Sequence, residues 1–470
     1  MDRRNLILRA GATALTTGLA GGAGAAPTVS AASKAQLSAQ AAINPAILQK
    51  VCRIRPNIAS LTPAQLAALK TGVSTMMARP ASDPTSWTYQ AAMHATYATP
   101  TLPLWNGCQH GTIHFLSWHR LFLYYFERIL RKASGSASFV LPYWNWTADR
   151  AMPAPFRDST AGNPLYTSQR GAGINGGALL PTSAVATSTP MADIPFADFS
   201  GDLEGTPHGS VHVACGGLMG QVPTAGQDPI FWLHHCNIDR LWETWIAKGA
   251  GRANPATAAW RNKTFTFYDE AGAQRTVAVS KGLDTCAGLG YKYPAPLVLK
   301  PLPIFLIAQL SDVRAAQIQA PASAIAVPAA LGARAAELKV AVPEAVKAPR
   351  AAPGRLYLSF DNIEVDDPEG YYEIYVNPPV GKPPQPTDPS YVGNLVTFGL
   401  SKRELAVRHG DMPMPPTRRV FDITPKLAQL RAAKALAGDL RVVLVLRTTE
   451  GAALGDAVRT RIGKVQLIAR

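Results

Sequence analysis

Apolar residues recur at helical spacing in three segments before residue 301. In the first segment, Thr62 is a good helix cap, Pro63 suits a first helical turn, and apolar residues follow at helical intervals. Residues 115–130 and 230–246 are aromatic as well as apolar, so we expect two further helices that are buried on most faces. The pattern predicts that the first part of the chain is mainly α-helical.

The remaining segments carry different patterns. Residues 151–207 are dense in Gly, Pro, Ser and Thr and indicate long loops. Residues 301–354 are rich in Ala, Val and Pro with almost no aromatic residues, which is typical of a linker. After this stretch, short alternating runs separated by Pro and Gly turns predict a small β-sandwich or barrel. These runs are 356–360, 371–376, 419–423 and 440–446.

The N-terminus has the features of an export signal. Arg3 and Arg4 precede three apolar residues, and a weakly apolar stretch leads to small residues at 29–32. This order is typical of a twin-arginine signal with an A-x-A-like cleavage region, so we expect a periplasmic or secreted protein. The predicted divisions are a signal peptide over 1–33, a helical domain over 34–300, a linker over 301–354 and an all-β domain over 355–470.

Composition narrows the classes of partner. The chain has 470 residues, 47% of them hydrophobic and 16% charged, and no apolar run long enough for a membrane span. The net charge of +15 comes from Lys and Arg that are spread along the chain, so we expect no nucleic acid partner. Five cysteines are too few for a disulfide framework in a chain of this length, and their odd number leaves at least one thiol.

Histidine carries the clearest chemical signal. Eight of the nine histidines lie between His94 and His235. His208 and His212 are four residues apart, which places both rings on one face of a helix. His235 and Asp239 repeat this spacing, so the carboxylate is expected to accept the second N–H of that imidazole. Each half of the cluster offers three ring nitrogens, and an all-imidazole donor set favours copper, with zinc as the chemical alternative.

Two motifs resemble a known family. Trp118-His119-Arg120 and the segment 228–235, Asp-Pro-Ile-Phe-Trp-Leu-His-His, followed by Asp239, are similar to the signatures of the tyrosinase, catechol oxidase and hemocyanin family. The resemblance covers residues 50–300 and implies a helical-bundle domain that holds two copper ions. The ligands implied for the first copper are His94, His110 and His119, and those for the second are His208, His212 and His235.

Two histidines compete with these ligands. His114 is close to His110, but only His110 keeps the family's spacing of nine residues before His119. His234 should point about 100° away from His235 on a helix, and we expect it to miss the metal as a buried, hydrogen-bonded residue.

The resemblance also implies roles around the coppers. Cys108 precedes His110 by two residues, as in fungal-type members that carry a thioether between the two side chains. Glu204 matches a glutamate that holds a water for deprotonating the phenol, and Phe231 belongs to an aromatic shell that excludes water. Gly209 stands where strong monophenol hydroxylases often have Asn, which favours o-diphenol oxidation. Val222 stands where some catechol oxidases have a bulky Phe over the first copper, so we expect an open site.

The resemblance implies a phenol oxidase. Its partners would be O2 and phenolic small molecules, with o-diphenols oxidised and monophenols hydroxylated to o-quinones. Residues after 355 resemble the C-terminal domain of plant polyphenol oxidases, which implies a latent enzyme that proteolysis activates. The alternative is an O2 carrier of the hemocyanin kind. A homo-oligomer is compatible with either.

A tyrosine motif at Tyr291 and Tyr293 implies a pairing with Arg53 or Arg55. Cys52 and Cys286 would then lie close enough to form a disulfide in an exported protein.

Overall fold

The structure is a computed structural model. It describes residues 52–294, 329–331, 335–342, 346, 355–366, 370–409, 417–436, 438–447 and 460–469. The predicted export signal over 1–33 and most of the predicted linker lie outside the described residues, and the export of the chain stays a prediction.

The first part of the chain is helical, as the sequence pattern predicts. Its helices are α1 (Pro63–Met77), α2 (Trp87–His94), α3 (Phe115–Ser134), α4 (Ala154–Arg157), α5 (Ala172–Asn175), α6 (Ser188–Ala192), α7 (Phe196–Leu203), α8 (Ser210–Cys215), α9 (Val222–Ala225), α10 (Ile230–Ala247) and α11 (Ala258–Arg261). Helix α1 begins where predicted, because Thr62 Oγ1 accepts from Gln65 N (3.2 Å) and the Gln65 side chain accepts from Thr62 N (2.8 Å). Helix α3 ends at Gly135, whose φ of 68° suits a residue without a Cβ.

Helix α3 is the centre of the helical domain. Helices α1 and α10 both pack against it, and their shared core is rich in aromatic side chains. Phe126 and Trp232, for example, stack with parallel rings at the contact between α3 and α10. Within the described part of the chain, no helix combines the length and the apolar character needed to cross a bilayer.

The segment 151–207 is less irregular than its composition suggests. It contains the four short helices α4 to α7, and a π-helical turn, Glu204–Gly209, follows directly. Arg170 holds this segment to the start of α10, because its guanidinium donates two hydrogen bonds of 2.7 Å to the buried carboxylate of Asp228. Such long-range anchoring cannot be seen in a local pattern, so the loop prediction was wrong for these short helices.

The C-terminal part is built on two four-stranded sheets. All strands in chain order are β1 (Arg53–Ile54), β2 (Thr264–Tyr268), β3 (Gln274–Ala278), β4 (Tyr291–Lys292), β5 (Ala329–Leu331), β6 (Ala336–Val340), β7 (Leu356–Val365), β8 (Tyr371–Val376), β9 (Tyr391–Val396), β10 (Arg418–Asp422), β11 (Leu440–Arg447) and β12 (Thr460–Ala469). One sheet has the order β10-β7-β12-β5 and the other the order β6-β11-β8-β9. Side chains of both sheets share one hydrophobic core. The predicted fold class, a helical domain followed by a small β domain, is confirmed.

Two details differ from the sequence prediction. Strands β5 and β6 lie within the stretch assigned to the linker, yet they pair with β12 and β11. Their Ala-rich composition is typical of a linker, and they form strands only because they pair with distant strands of the β domain. The β domain also contains two helices, α12 (Lys402–His409) and α13 (Thr424–Ala432), so it is not purely β.

The tyrosine motif closes the helical domain. Strands β1 and β4 pair in parallel, and a disulfide joins Cys52 to Cys286 with a Cα–Cα distance of 5.4 Å. Of the two candidate arginines it is Arg55 that meets the motif, since its guanidinium lies 3.6 Å from the Tyr291 ring centroid and donates to Tyr293 Oη (3.0 Å). The resemblance therefore led to the correct cysteine pair and left the choice of arginine to the structure.

Candidate metal centre

Seven buried histidines form two adjacent groups between the central helices. In the first group, one ring nitrogen from each member lies within 4.8 Å of the others, and the same holds in the second group. The first group is His94, His110 and His119, and the second is His208, His212, His234 and His235. The groups meet where the rings of His119 and His235 stack with centroids 4.5 Å apart. The structure thus brings together all six histidines that the sequence motifs single out.

Backbone carbonyls orient four of these rings through Nδ1. A carbonyl oxygen only accepts, so each Nδ1 carries the proton and each Nε2 keeps its lone pair for a metal. The contacts are His94 to Val222 O (3.1 Å), His119 to Phe115 O (2.8 Å), His208 to Glu204 O (2.9 Å) and His212 to Met219 O (2.9 Å).

Burial keeps four of the six proposed ligand rings neutral. It lowers the pKa of His208 to about 3 and the pKa values of His119, His212 and His235 well below the usual range. Neutral rings offer lone pairs, and Nε2 of His119 and of His208 is buried without a hydrogen-bond partner among the described residues. Buried nitrogens of this kind are rare unless a ligand uses them. The residues therefore fit two metal ions, and an all-imidazole set suits copper.

His234 lies closer to the second group than predicted. Its ring contacts those of His208 (5.5 Å) and His212 (4.7 Å), because the segment that carries these two residues packs on this side of α10. A turn of about 100° from His235 along the helix thus does not take the ring out of reach of the second group. However, Trp146 Nε1 donates to His234 Nδ1 (3.1 Å), so the proton of the neutral ring is on Nε2. That nitrogen has no lone pair for a metal, which leaves His234 a hydrogen-bonded neighbour of the site.

His114 lies outside both groups. It precedes α3, its ring stacks on Trp260 with centroids 5.7 Å apart, and its Nδ1 lies 3.3 Å from Ser117 Oγ. His110 is thus the member of the first group, in agreement with the spacing argument.

Asp239 makes no hydrogen bond to His235, whose Nδ1 is buried without a hydrogen-bond partner among the described residues. Its buried carboxylate instead accepts from Arg120 Nε (2.6 Å), Tyr291 Oη (2.5 Å) and Tyr293 Oη (2.7 Å). Burial raises the pKa of Asp239, but the charges of Arg120 and Arg55 outweigh it and hold the pKa below its usual value. The expected link from Asp239 to the ligand is therefore wrong, because the arginines and tyrosines that the fold brings to it are stronger partners. Phe231 lies where expected, with its ring 4.8 Å from that of His94 and 4.3 Å from that of His235.

Cys108 lies beside His110. Its Sγ is 3.8 Å from His110 Nδ1, and both side chains are buried. This proximity is what a thioether would need, and the bond itself stays a prediction.

Glu204 and Gly209 line a cavity of about 470 Å³ next to the site. Glu204 Oε1 accepts from Gly111 N (2.6 Å), which aims the carboxylate at the loop that carries His110. A Cβ at Gly209 would lie 2.8 Å from Val396 Cγ1 of the β domain and 3.3 Å from Glu204 O. Glycine at this position thus permits a close approach of the two domains.

Val222 lies beside the first histidine group. It is fully buried and does not line the cavity; its backbone carbonyl orients His94, as described above. The accessible site expected from its small side chain stays a prediction for the protein without its β domain, since Phe398 of that domain lies over the histidines here.

Phe398 covers the second group. Its ring stacks on that of His212 with centroids 4.1 Å apart and an angle of 13°, and it lies 5.7 Å from the rings of His110 and His208. Together with Val396 and Tyr371 of the β domain, it belongs to the hydrophobic core of the helical domain. Sequence reasoning missed Phe398, because an aromatic residue just after a strand is more often part of its own domain's core.

Polar contacts also hold the β domain in place. Ser183 Oγ donates to Glu373 Oε1 (2.8 Å) and lies 2.9 Å from Tyr371 Oη. Asn394 Nδ2 donates to Ser183 O (2.9 Å). All four side chains are buried, so the interface is hydrogen-bonded as well as apolar.

An acidic pair near this interface predicts a pH effect. Burial and the neighbouring carboxylate of Asp193 raise the pKa of Asp202 to about 8, above its usual value near 4. Between these values the folded state binds more protons than the unfolded state, so stability falls as the pH rises. Asp202→Asn keeps a donor towards Asp193 and removes this titration. We expect its unfolding midpoint to exceed that of the wild type by on the order of 2–4 °C at pH 8.5 and by less at pH 5.

Circular dichroism at both pH values measures these midpoints, with the wild type as the control. A difference between the two proteins that is the same at pH 5 and at pH 8.5 would contradict the prediction.

Family comparisons match the helical and C-terminal regions separately. The common central domain of tyrosinase matches residues 84–197 and 178–248, the polyphenol oxidase middle domain matches residues 256–298, and a domain of unknown function matches residues 312–470. The chain is 36% identical over 295 residues to a tyrosinase from Hahella sp. (strain CCB-MM4), a match that covers 51% of this chain and 63% of the relative. It is 30% identical over 289 residues to a chloroplastic polyphenol oxidase from Malus domestica, covering 51% of this chain and 48% of that protein. The chain thus spans less than two thirds of these curated relatives.

Solved structures match over a longer stretch. Latent apple tyrosinase is 25% identical with a TM-score of 0.62, and the match covers 88% of this chain and 96% of that one. A latent aurone synthase, at 21% identity and a TM-score of 0.63 over 90% of both chains, supports the fold. The motifs, the two histidine groups and these matches agree that the helical part of the chain, over residues 84–298, is similar to the tyrosinase and polyphenol oxidase family, whose members hold a type 3 dicopper centre.

Proposed function

We propose that the chain is a copper-dependent phenol oxidase that uses O2 to oxidise o-diphenols to o-quinones, and that it is made in a latent form. The observation that carries this proposal is the pair of adjacent groups of buried histidines, in each of which one ring nitrogen of every member lies within 4.8 Å of the others. In this proposal His94, His110 and His119 hold one copper, and His208, His212 and His235 hold the other. When bound, such a pair supplies electron transfer between a phenolic substrate and O2.

The residues of the chain prepare this site in two ways. The carbonyl contacts at Nδ1 set the tautomers before any metal arrives, which lowers the cost of binding. The rings of Phe231, Phe115 and Trp118 pack around the histidines and exclude water from them.

Glu204 is the proposed proton acceptor. Its carboxylate lines the same cavity as His110 and His208, so a phenol that enters there meets a group able to take its proton, directly or through a water. Oxidation of an o-diphenol releases two electrons and two protons, and two such molecules reduce one O2 to two waters. We propose that monophenols are hydroxylated more slowly than o-diphenols are oxidised, because Gly209 has no side chain that could polarise the water at Glu204.

Two features of the family belong to the same proposal. Phe398 stacks on His212 and fills the approach to the second copper, which supports latency until the β domain is removed or displaced. Cys108 and His110 would be joined by a thioether, since the sulfur already lies beside the ring.

The test uses the full-length, copper-loaded protein with and without limited proteolysis. We expect two coppers per chain. With catechol, both O2 uptake and quinone absorbance should rise after proteolysis. The oxidation of tyrosine should be slower than that of dopa. The peptide spanning residues 108–110 should be two hydrogens lighter after reduction. Fewer than two coppers would overturn the proposal, and reversible O2 binding without turnover would favour an O2 carrier.

A further inference from the structure

Glu404 is a buried carboxylate of the β domain that hydrogen-bonds the segment next to His94, a member of the first histidine group. It lies in α12 with no exposed surface. Its Oε1 accepts from Val222 N (2.8 Å), and its Oε2 accepts from Ser401 N (3.1 Å) and Ser401 Oγ (2.7 Å). One oxygen is thus held by the β domain itself, and the other is directed at the helical domain.

The backbone of Val222 links Glu404 to His94. Val222 is the first residue of α9, and an amide at this end of a helix has no partner within the helix. Glu404 supplies that partner, while the carbonyl of the same residue accepts from His94 Nδ1 (3.1 Å). Without Glu404, a buried N–H would lose its acceptor, and the segment that orients His94 would be free to shift.

His94 differs in this respect from the other rings that carbonyls orient. The acceptors of His119, His208 and His212 are Phe115, Glu204 and Met219 of the helical domain. Among these four acceptor residues and within the described part of the chain, Val222 is the one whose own N–H donates to the β domain.

We propose that Glu404 is a positioning residue for His94. The β domain would then hold a ligand of the first copper in place through Val222, while Phe398 covers the second site. The inference rests on the proposed function in one respect, namely that His94 binds copper. The β domain then supports the metal site as well as covering it. Loss of Glu404 is expected to weaken the binding of the first copper and to leave the binding of the second copper unchanged.

The test measures how fast EDTA removes copper from the full-length protein, in two background variants that each lack one ligand. With His235→Ala the copper that remains is at the first site, and with His119→Ala it is at the second. Glu404→Ala should speed copper loss about tenfold in the first background, the lower end of the roughly 10–100-fold effect of removing an outer partner of a ligand. It should leave copper loss unchanged in the second background.

Two further variants separate positioning from docking. Glu404→Gln keeps an oxygen that can accept from Val222 N and should retain copper as the wild type does. Glu373→Ala removes another buried glutamate of the β domain, one that bonds Ser183 and not Val222, and should leave the first copper in place. If Glu404→Ala does not fold, Ser401→Ala removes one donor to Glu404 and should speed the loss of the first copper by a smaller factor.

The outcomes distinguish this inference from the proposed function. Equal effects of Glu404→Ala on both coppers, no effect on either, or the same effect from Glu373→Ala would overturn the positioning role. A wild-type protein that binds fewer than two coppers would overturn the proposed function instead.

Discussion

Replacing His119 by alanine is expected to leave one copper per chain and to reduce catechol oxidation to the background rate. The ring of His119 lies at the contact between the two histidine groups, where it stacks on His235. Its loss leaves two imidazoles for the first metal, and the effect should be well above the roughly 10–100-fold loss that follows removal of an outer partner. Metal analysis and O2 uptake after proteolysis measure both quantities. His235→Ala should have the same effect on the second copper.

His114→Ala and His234→Ala are matched controls for this prediction. His114 lies outside both groups, and the Trp146 contact leaves His234 without a lone pair towards the metal. Both variants should therefore keep two coppers. If His119→Ala kept two coppers, or if His234→Ala lost one, the proposed ligand sets would be wrong.

Replacing Phe398 by alanine is expected to activate the uncleaved protein. The ring fills the space over His212, and burying a side chain of this size stabilises the docked state by about 1.5–3 kcal/mol. Its loss should raise the population of the open state, and with it the rate of catechol oxidation, by about 10- to 100-fold. After complete proteolysis the variant and the wild type should have equal rates, because the β domain that carries position 398 is then removed from both. Equal rates before proteolysis would show that Phe398 does not cause latency.

Gly209→Ala tests the same contact from the helical domain. The added Cβ would lie 2.8 Å from Val396 Cγ1, so this side chain must move away. Because the movement weakens the contact between the two domains, we expect activation in the same direction. Gly201→Ala is the control, since a Cβ there meets nothing within 4 Å. The retention of the β domain after cleavage, measured by size-exclusion chromatography, separates weaker docking from a change in the chemistry. The prediction fails if Gly209→Ala retains the cleaved β domain as Gly201→Ala does.

Local features of the chain predicted much of the fold. Helix α1 could be placed because a cap and a proline precede an apolar repeat, and both groups of histidines could be found because metal ligands recur at fixed spacings. The same approach failed for β5 and β6, whose alanines have low strand propensity and become strands only by pairing with β12 and β11. It also failed for the short helices of 151–207, which depend on anchors such as Arg170 to Asp228.

The sequence alone determined which side chains offer nitrogen to a metal, how they are spaced and where the main helices begin, because these properties depend on neighbours within a few residues. Only the tertiary structure decided which atoms support them. Asp239 bonds Arg55 across 184 positions of the chain, Glu404 bonds Val222 across 182, and Phe398 lies on His212. Contacts between such distant residues depend on how two domains pack, and no pattern within a short segment carries that information.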